Sequence, residues 1–445
     1  MTVTEQILDL VQRPNAYMSE RGLTMARFSL LDWIICGYAG RTEPVSRKMR
    51  QFAESESGRQ VASVFGGGLA PARMAALVNG ATSHALDYDD THFGHVGHLS
   101  VGIYPAALAV GEEQNAHLDQ VIEAFLLGAE AAIRIGSTLG RAHYNQGFHQ
   151  TATAGAFGAT VAASRLYGLD AGQLRAALGL CATRASGLKS QFGTMGKPYN
   201  AGLAASNGVE CAALARLGLT SADDGLWGAQ GFVETHRPMS STPGGDDPAI
   251  REAPLASGLC LFEDNKYKLH ACCHGLHAMI EALQVAVAQG IGLQDVATLT
   301  LRTNPRWLKV CDIKAPRSGL EVKFSYAWLA GMVLRGDRTG DDRVYTDALA
   351  RDPDLADFAL RLKVVGDAHV SDLRVEGQLR LQDGRDVPLA HDLAMPVPLD
   401  QLANKLRRKA CDILPSVGQE LWDLTSDLSG MHARDLGTVV RAASV

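Results

Sequence analysis

The 445-residue sequence has no Cys-x-x-Cys pair, no surplus of basic charge and no apolar run of the roughly 18 residues that a membrane-spanning helix needs. Each absence excludes a class. Its eight cysteines are scattered (36, 181, 211, 260, 272, 273, 311 and 411), so the thiols read as reduced and mostly buried rather than as a disulfide frame. A three-cysteine iron–sulfur site is not expected either. Forty-two basic residues against 48 acidic ones leave a formal net charge of −6, which offers nucleic acid no electrostatic footprint. The most apolar stretch, 101–110, is short and contains a proline, so no membrane partner is expected. Residues 1–10 lack a basic segment followed by an apolar core, which argues against a secretory signal and for a cytoplasmic location. No Gly-Lys-Ser/Thr follows Gly66-Gly67-Gly68, so that triplet reads as a plain turn, and no Gly-x-Ser-x-Gly elbow is present.

What is present is mostly helix. With 46% hydrophobic and 20% charged residues the chain is an ordinary globular one, long enough for roughly two or three domains. From residue 4 to about 260 the apolar spacing is helical and rich in small residues that allow close helix contacts. It predicts helices over 70–86, 118–139, 151–167, 171–182 and 201–217, with Pro71 in the first turn of the first. After residue 290 the pattern changes. Alternation over 296–303 predicts a strand, and 373–381 with 387–389 flank Asp383-Gly384, a hairpin signal. Helices are predicted over 321–334 and 354–362, so about 125 residues read as a compact α+β domain. The tail, 399–421, is predicted helical again, and 238–254 reads as an exposed connection.

Histidines concentrate in segments that suit chemistry. Three lie at spacing three in Asp87-Tyr-Asp-Asp-Thr91-His-Phe-Gly-His-Val-Gly-His98, which cannot be regular helix throughout. Gly147-Phe-His149 precedes an alanine-rich helix whose positive end suits an anion. Phe192-Gly-Thr-Met-Gly-Lys197-Pro presents an ammonium and backbone N–H groups to a carboxylate. Lys268-Leu-His270-Ala-Cys-Cys273-His274-Gly-Leu-His277 gathers titratable groups at the domain junction. His92, His95 and His98, or Cys272, Cys273, His274 and His277, contain ligand types for zinc, but neither set has the spacing of a known zinc motif. No metal and no cofactor are expected. His84 and His143 read as helix histidines, and His92 and His95 receive no role.

Taken together, these segments resemble the MmgE/PrpD family, which includes 2-methylcitrate dehydratase, cis-aconitate decarboxylase and iminodisuccinate epimerase. The resemblance runs over nearly the whole chain. Its marks are Asn79-Gly80, His84-Ala-Leu-Asp87-Tyr-Asp-Asp90, the His98 segment leading to Pro105, Gly147-Phe-His149, Phe192-Gly-Thr-Met-Gly-Lys197-Pro, Asn207-Gly208 and Gly319-Leu-Glu-Val-Lys-Phe-Ser325. It implies a mainly α protein with an α+β second domain: an all-helical domain over 1–266 and 396–445, and a smaller lid over 267–395. It also implies a homodimer and a site in the cleft between domains. Asp87, Thr91, His98, His149, Lys197 and Lys268 match the family's active-site positions. Cys273 stands where the decarboxylases carry a histidine, and His277 matches another recurrent histidine.

The resemblance implies chemistry at a carbon beside a carboxylate. Histidine suits the proton transfers, since its ordinary pKa of about 6.5 lies near working pH. Lysines suit the anion. The expected function is therefore a cofactor-independent lyase that dehydrates a small hydroxy di- or tricarboxylic acid. In it His98 and His149 transfer protons, Lys197 and Lys268 hold carboxylates, and Asp87 orients His98 or acts as a base. Thr91, Cys273 and His277 are assigned to substrate binding. An epimerase of a dicarboxylate such as iminodisuccinate, a decarboxylase of an unsaturated tricarboxylate and a non-catalytic carboxylate binder are the alternatives.

Overall fold

The computed structural model describes residues 2–236 and 259–442, so the connection expected over 238–254 lies outside the described residues. The chain divides into two compact units, Met1–Tyr267 with Ser416–Val445, and Lys268–Pro415. The first begins with α1 (Val3–Gln12), α2 (Glu20–Gly40), α3 (Pro44–Ser55) and a short hairpin of β1 (Ala62–Ser63) and β2 (Leu69–Ala70). It continues with α4 (Ala72–Ser83), α5 (Ser100–Gln114), α6 (Leu118–Gln146), α7 (Gln150–Tyr167), α8 (Ala171–Arg184), α9 (Gly196–Arg216) and α10 (Phe232–Thr235). The second unit contains α11 (His277–Ala288), β3 (Val296–Thr303), α12 (Pro305–Leu308), α13 (Gly319–Val322), α14 (Tyr326–Arg335), α15 (Pro353–Ala359), β4 (Leu362–Gly366), β5 (Arg374–Leu381), β6 (Asp386–Asp392) and α16 (Leu399–Ile413). The chain then returns to the first unit with α17 (Gly418–Ser426) and α18 (Ala433–Arg441).

Small residues set the packing of the helical unit. Every residue from Ser100 to Glu112 of α5 and from Gln150 to Ser164 of α7 is buried, which is why these helices are apolar all round rather than amphipathic. A side chain at Gly80 of α4 would meet Gly202 Cα of α9 at 2.8 Å, and one at Gly128 of α6 would meet the Gly158 carbonyl of α7 at 2.5 Å. Helix axes can approach this closely only where both surfaces are bare. α6 breaks at Gly140, where φ is +64°, so the predicted end at 139 is a kink and the helix resumes to Gln146.

The second unit is built on a four-stranded sheet of order β4-β3-β5-β6. β5 and β6 are the expected antiparallel hairpin, turning at Gly384 with φ +87°. β4 pairs in parallel with β3 and was not expected from the sequence. Residues 362–366 form a sheet edge with no fully buried position, so the helical pattern before them predicts helix through to 362. The helix expected over 321–334 is divided between α13 and α14, with Ser325 capping the second through Trp328 N–H. The tail expected as one helix over 399–421 is interrupted at 414–417, where Pro415 cannot continue it. α16 clusters with the second unit, anchored by Lys405 Nζ 2.6 Å from Glu281 Oε2 of α11.

Candidate active site

In the helical unit the segment after α4 cannot remain helical. Asp87 has φ +52° and the β-branched Val96 has φ +56°, a costly conformation for such a side chain. Backbone and histidine bonds hold it in place. His92 N–H donates to Gly97 O at 2.9 Å, His92 Nδ1 accepts His95 N–H at 3.0 Å, and His92 Nε2 meets Leu261 O at 3.1 Å. His95 Nδ1 meets Ala132 O at 3.1 Å. Burial pushes both imidazoles down, His92 to about 4 and His95 to about 3, so they act as neutral struts. A side chain at Gly97 would meet Thr151 N of α7 at 2.8 Å, and this bare contact lets His98 N–H donate to Thr151 Oγ1 at 3.0 Å.

The loop so fixed brings three of the expected residues onto one another. His98 Nε2 lies 3.4 Å from Asp87 Oδ1, and Lys197 Nζ lies 2.5 Å from Asp87 Oδ2. His98 Nδ1 lies 2.7 Å from Asp89 Oδ2, whose other oxygen accepts from His84 Nδ1 at 2.8 Å. His149 joins the group through ring contacts, 6.1 Å from His84 and 5.0 Å from Phe192, and its Nδ1 accepts from Asn200 Nδ2 at 3.2 Å. Burial drives His149 well below the usual histidine range, helped by His84 and Lys197, and burial takes His84 down to about 4. Burial alone would raise the Asp89 carboxyl, but His84 and His98 together hold it well below the ordinary range. The site thus sets the neutral imidazoles of His84 and His149 and the ionised Asp89 carboxylate close to a lysine, an arrangement suited to moving protons near an anion.

Two details differ from expectation. The first two backbone N–H groups of α9 are taken up within the turn: Gly196 N–H donates to Thr194 Oγ1 at 3.0 Å and Lys197 N–H to Thr194 O at 3.2 Å. The positive charge offered there is the Lys197 ammonium itself. Sequence reasoning also passed over His84 and Asp89, since His84 was read as a helix histidine; the His-x-x-x-x-Asp spacing beyond the last turn of α4 was the available signal. The donor atoms of His84, Asp87, Asp89 and His98 all lie within 4.8 Å of one another, compact enough for a divalent cation. Lys197 already neutralises the Asp87 carboxylate that would turn toward such an ion.

Thr91 is held through its backbone, donating to Lys266 O at 2.7 Å and accepting Lys266 N–H at 2.8 Å. Lys268, Cys273 and His277 belong to the second unit. There Lys268 and His277 are buried, and Cys273 N–H donates to Lys323 O at 3.1 Å. The His277 ring lies 4.6 Å from His274 and 5.1 Å from His270, and burial pushes its imidazole well down. His270 Nε2 in turn lies 3.6 Å from Glu281 Oε1. Burial opposes ionisation of Glu281, yet His270 and Lys405 bring it to about 2.

The MmgE/PrpD N-terminal domain matches residues 13–241 and the MmgE/PrpD C-terminal domain residues 270–427. The chain belongs to the MmgE/PrpD family. A cis-aconitate decarboxylase of Aspergillus terreus is 32% identical over 275 residues, covering 59% of this chain and 55% of that protein. Those of Homo sapiens and Mus musculus are 29% identical over 211 residues and 28% over 227, covering 46% and 49% of this chain and 44% and 46% of theirs. The chain therefore spans about half the length of the curated relatives it matches.

Several marks of the family resemblance turn out to be architectural in this member. Asn79 accepts Phe65 N–H at 2.9 Å and donates to Ser63 O at 2.7 Å, pinning the β1 hairpin to α4. A side chain at Gly208 would meet Ala159 of α7 at 2.4 Å, and one at Gly319 would run into the Tyr345 carbonyl.

Proposed function

We propose that this MmgE/PrpD protein is a lyase that acts on a small di- or tricarboxylic acid by proton transfer at a carbon beside a carboxylate. The carrying observation is His98 set between Asp89 and Asp87, with the Lys197 ammonium on the far oxygen of Asp87. An imidazole so held removes or delivers a proton, and a cation beside it stabilises negative charge that develops on the substrate carboxylate.

Loss of water is the preferred outcome. A base takes the proton from the carbon beside the carboxylate, the electron pair becomes the new double bond, and the hydroxyl leaves as water with a proton from the paired acid. Cys273 supports this reading, since the resemblance gives decarboxylases a histidine there. Decarboxylation is the second reading, favoured by the names of the relatives; in it carbon dioxide leaves and the carbon takes up a proton instead. Purified protein incubated with citrate, 2-methylcitrate and cis-aconitate, followed by enoate absorbance and carbon dioxide release, separates the two. Turnover of none of the acids would remove the lyase reading.

A further inference from the structure

Resting on that reading, we propose that Asp89 is a positioning residue that holds His98 as its Nδ1–H tautomer, so that Nε2 is the nitrogen that exchanges protons with substrate, and that His84 is the second arm of the same clamp. Asp89 is completely buried, as is His84, and both lie in the short segment between α4 and α5. One carboxylate oxygen receives His84 Nδ1 at 2.8 Å, and the other faces His98 Nδ1 at 2.7 Å. The two rings meet edge to face with centroids 4.6 Å apart. A buried carboxylate between two imidazoles can be satisfied only if each turns a proton toward it.

Three consequences follow for His98. With Nδ1 committed to Asp89, the remaining nitrogen is Nε2, which faces Asp87 at 3.4 Å and through it the Lys197 ammonium. The carboxylate also stabilises the imidazolium that forms when Nε2 takes a proton, the role of the buried acid in a Ser-His-Asp triad. His84 keeps Asp89 from turning away, because rotation of the carboxylate would break the His84 bond in the interior. The His98 ring is turned off the straight line to Asp89, so at 2.7 Å the two atoms face each other at contact distance and a small rotation of the ring completes the hydrogen bond.

The test is nitrogen-15 NMR of the full chain labelled at histidine, alone and with propane-1,2,3-tricarboxylate as a non-reacting polyacid, with His98→Gln to assign the signals. The expected result is a His98 proton on Nδ1, shifted far downfield, which disappears in Asp89→Asn and persists in Lys197→Met. A proton on Nε2 of His98 in wild type, with and without the polyacid, overturns the proposal whatever the substrate. On any acid the wild type turns over, Asp89→Asn should lose on the order of 10²- to 10⁴-fold in kcat with KM little changed. Unchanged kcat in folded Asp89→Asn also overturns it. Absence of wild-type turnover would defeat the lyase reading alone, since the tautomer is read without activity.

Discussion

Lys197 Nζ lies 2.5 Å from Asp87 Oδ2, joining the first turn of α9 to a residue held at φ +52° beyond the end of α4. The pair brings a cation to His98, whose Nε2 faces the other oxygen of the same carboxylate. Replacing Lys197 with methionine keeps the length of the side chain and removes the charge. Lys197→Met is expected to lower kcat/KM by about 10²- to 10³-fold on any acid the wild type turns over, with Lys197→Arg recovering part of it, measured by steady-state kinetics. Full activity in Lys197→Met would show that this ammonium does not act on the substrate.

Acid should unfold the helical unit through its buried imidazoles. His84 and His92 are depressed to about 4 and His95 to about 3 in the folded chain, against 6.5 in the unfolded one. Between these values the unfolded chain binds more protons, so the stability contribution is full above pH 6.5 and is lost as pH falls toward 4. By the free energy of one pKa unit, depressions of this size correspond to roughly 3 kcal/mol for His84 and His92 and about 5 kcal/mol for His95. Urea midpoints measured at pH 7, 5.5 and 4.5 should fall steeply, and His92→Gln should flatten the slope. A midpoint independent of pH would contradict neutral burial of these rings.

Close helix contacts give a stability prediction without chemistry. A methyl group at Gly128 would be forced against the Gly158 carbonyl at 2.5 Å, and backbone cannot swing aside as a flexible side chain can. Gly128→Ala should lose about 1–3 kcal/mol despite its better helix propensity. At Gly68 a methyl group meets nothing within 4 Å, so Gly68→Ala serves as the control and should be near neutral. Thermal and urea unfolding report both.

Cys273 offers a test of the leaving group. It is half-buried in the second unit, with its backbone N–H bound to Lys323 O. If a histidine at this position favours loss of carbon dioxide, Cys273→His should raise the ratio of carbon dioxide released to water lost on acids that permit both. An unchanged ratio would remove Cys273 as a determinant of reaction type.

Five helices of the first unit, α4 and α6 to α9, were legible because alanine, leucine and glycine recur at helical spacing over long segments, and Asp383-Gly384 marked its hairpin as clearly. β4 was not legible, since its residues gain their strand character from pairing with β3 rather than from their own pattern. The site was half legible. Asp87, His98, His149 and Lys197 stand out through glycine-bearing segments and the family resemblance, and the fold gathers them in one unit as side chains in contact or one ring apart. Asp89 and His84 were missed because a histidine at a helix end looks the same in sequence whether it caps the helix or holds a carboxylate. The orienting role given to Asp87 suffers from the same ambiguity: two aspartates stand two residues apart, and only the fold shows which nitrogen of His98 each one faces.

Proton transfer beside a carboxylate by His98 is tested most directly by solvent labelling. The protein is incubated in D₂O with citrate, 2-methylcitrate and cis-aconitate, and deuterium at the carbon beside the carboxylate is followed by NMR. Wild type is expected to place solvent deuterium at that carbon in at least one acid, and His98→Gln to slow the labelling by at least about 10²-fold. Labelling at the same rate in folded His98→Gln, or none in wild type with any of the acids, would contradict it.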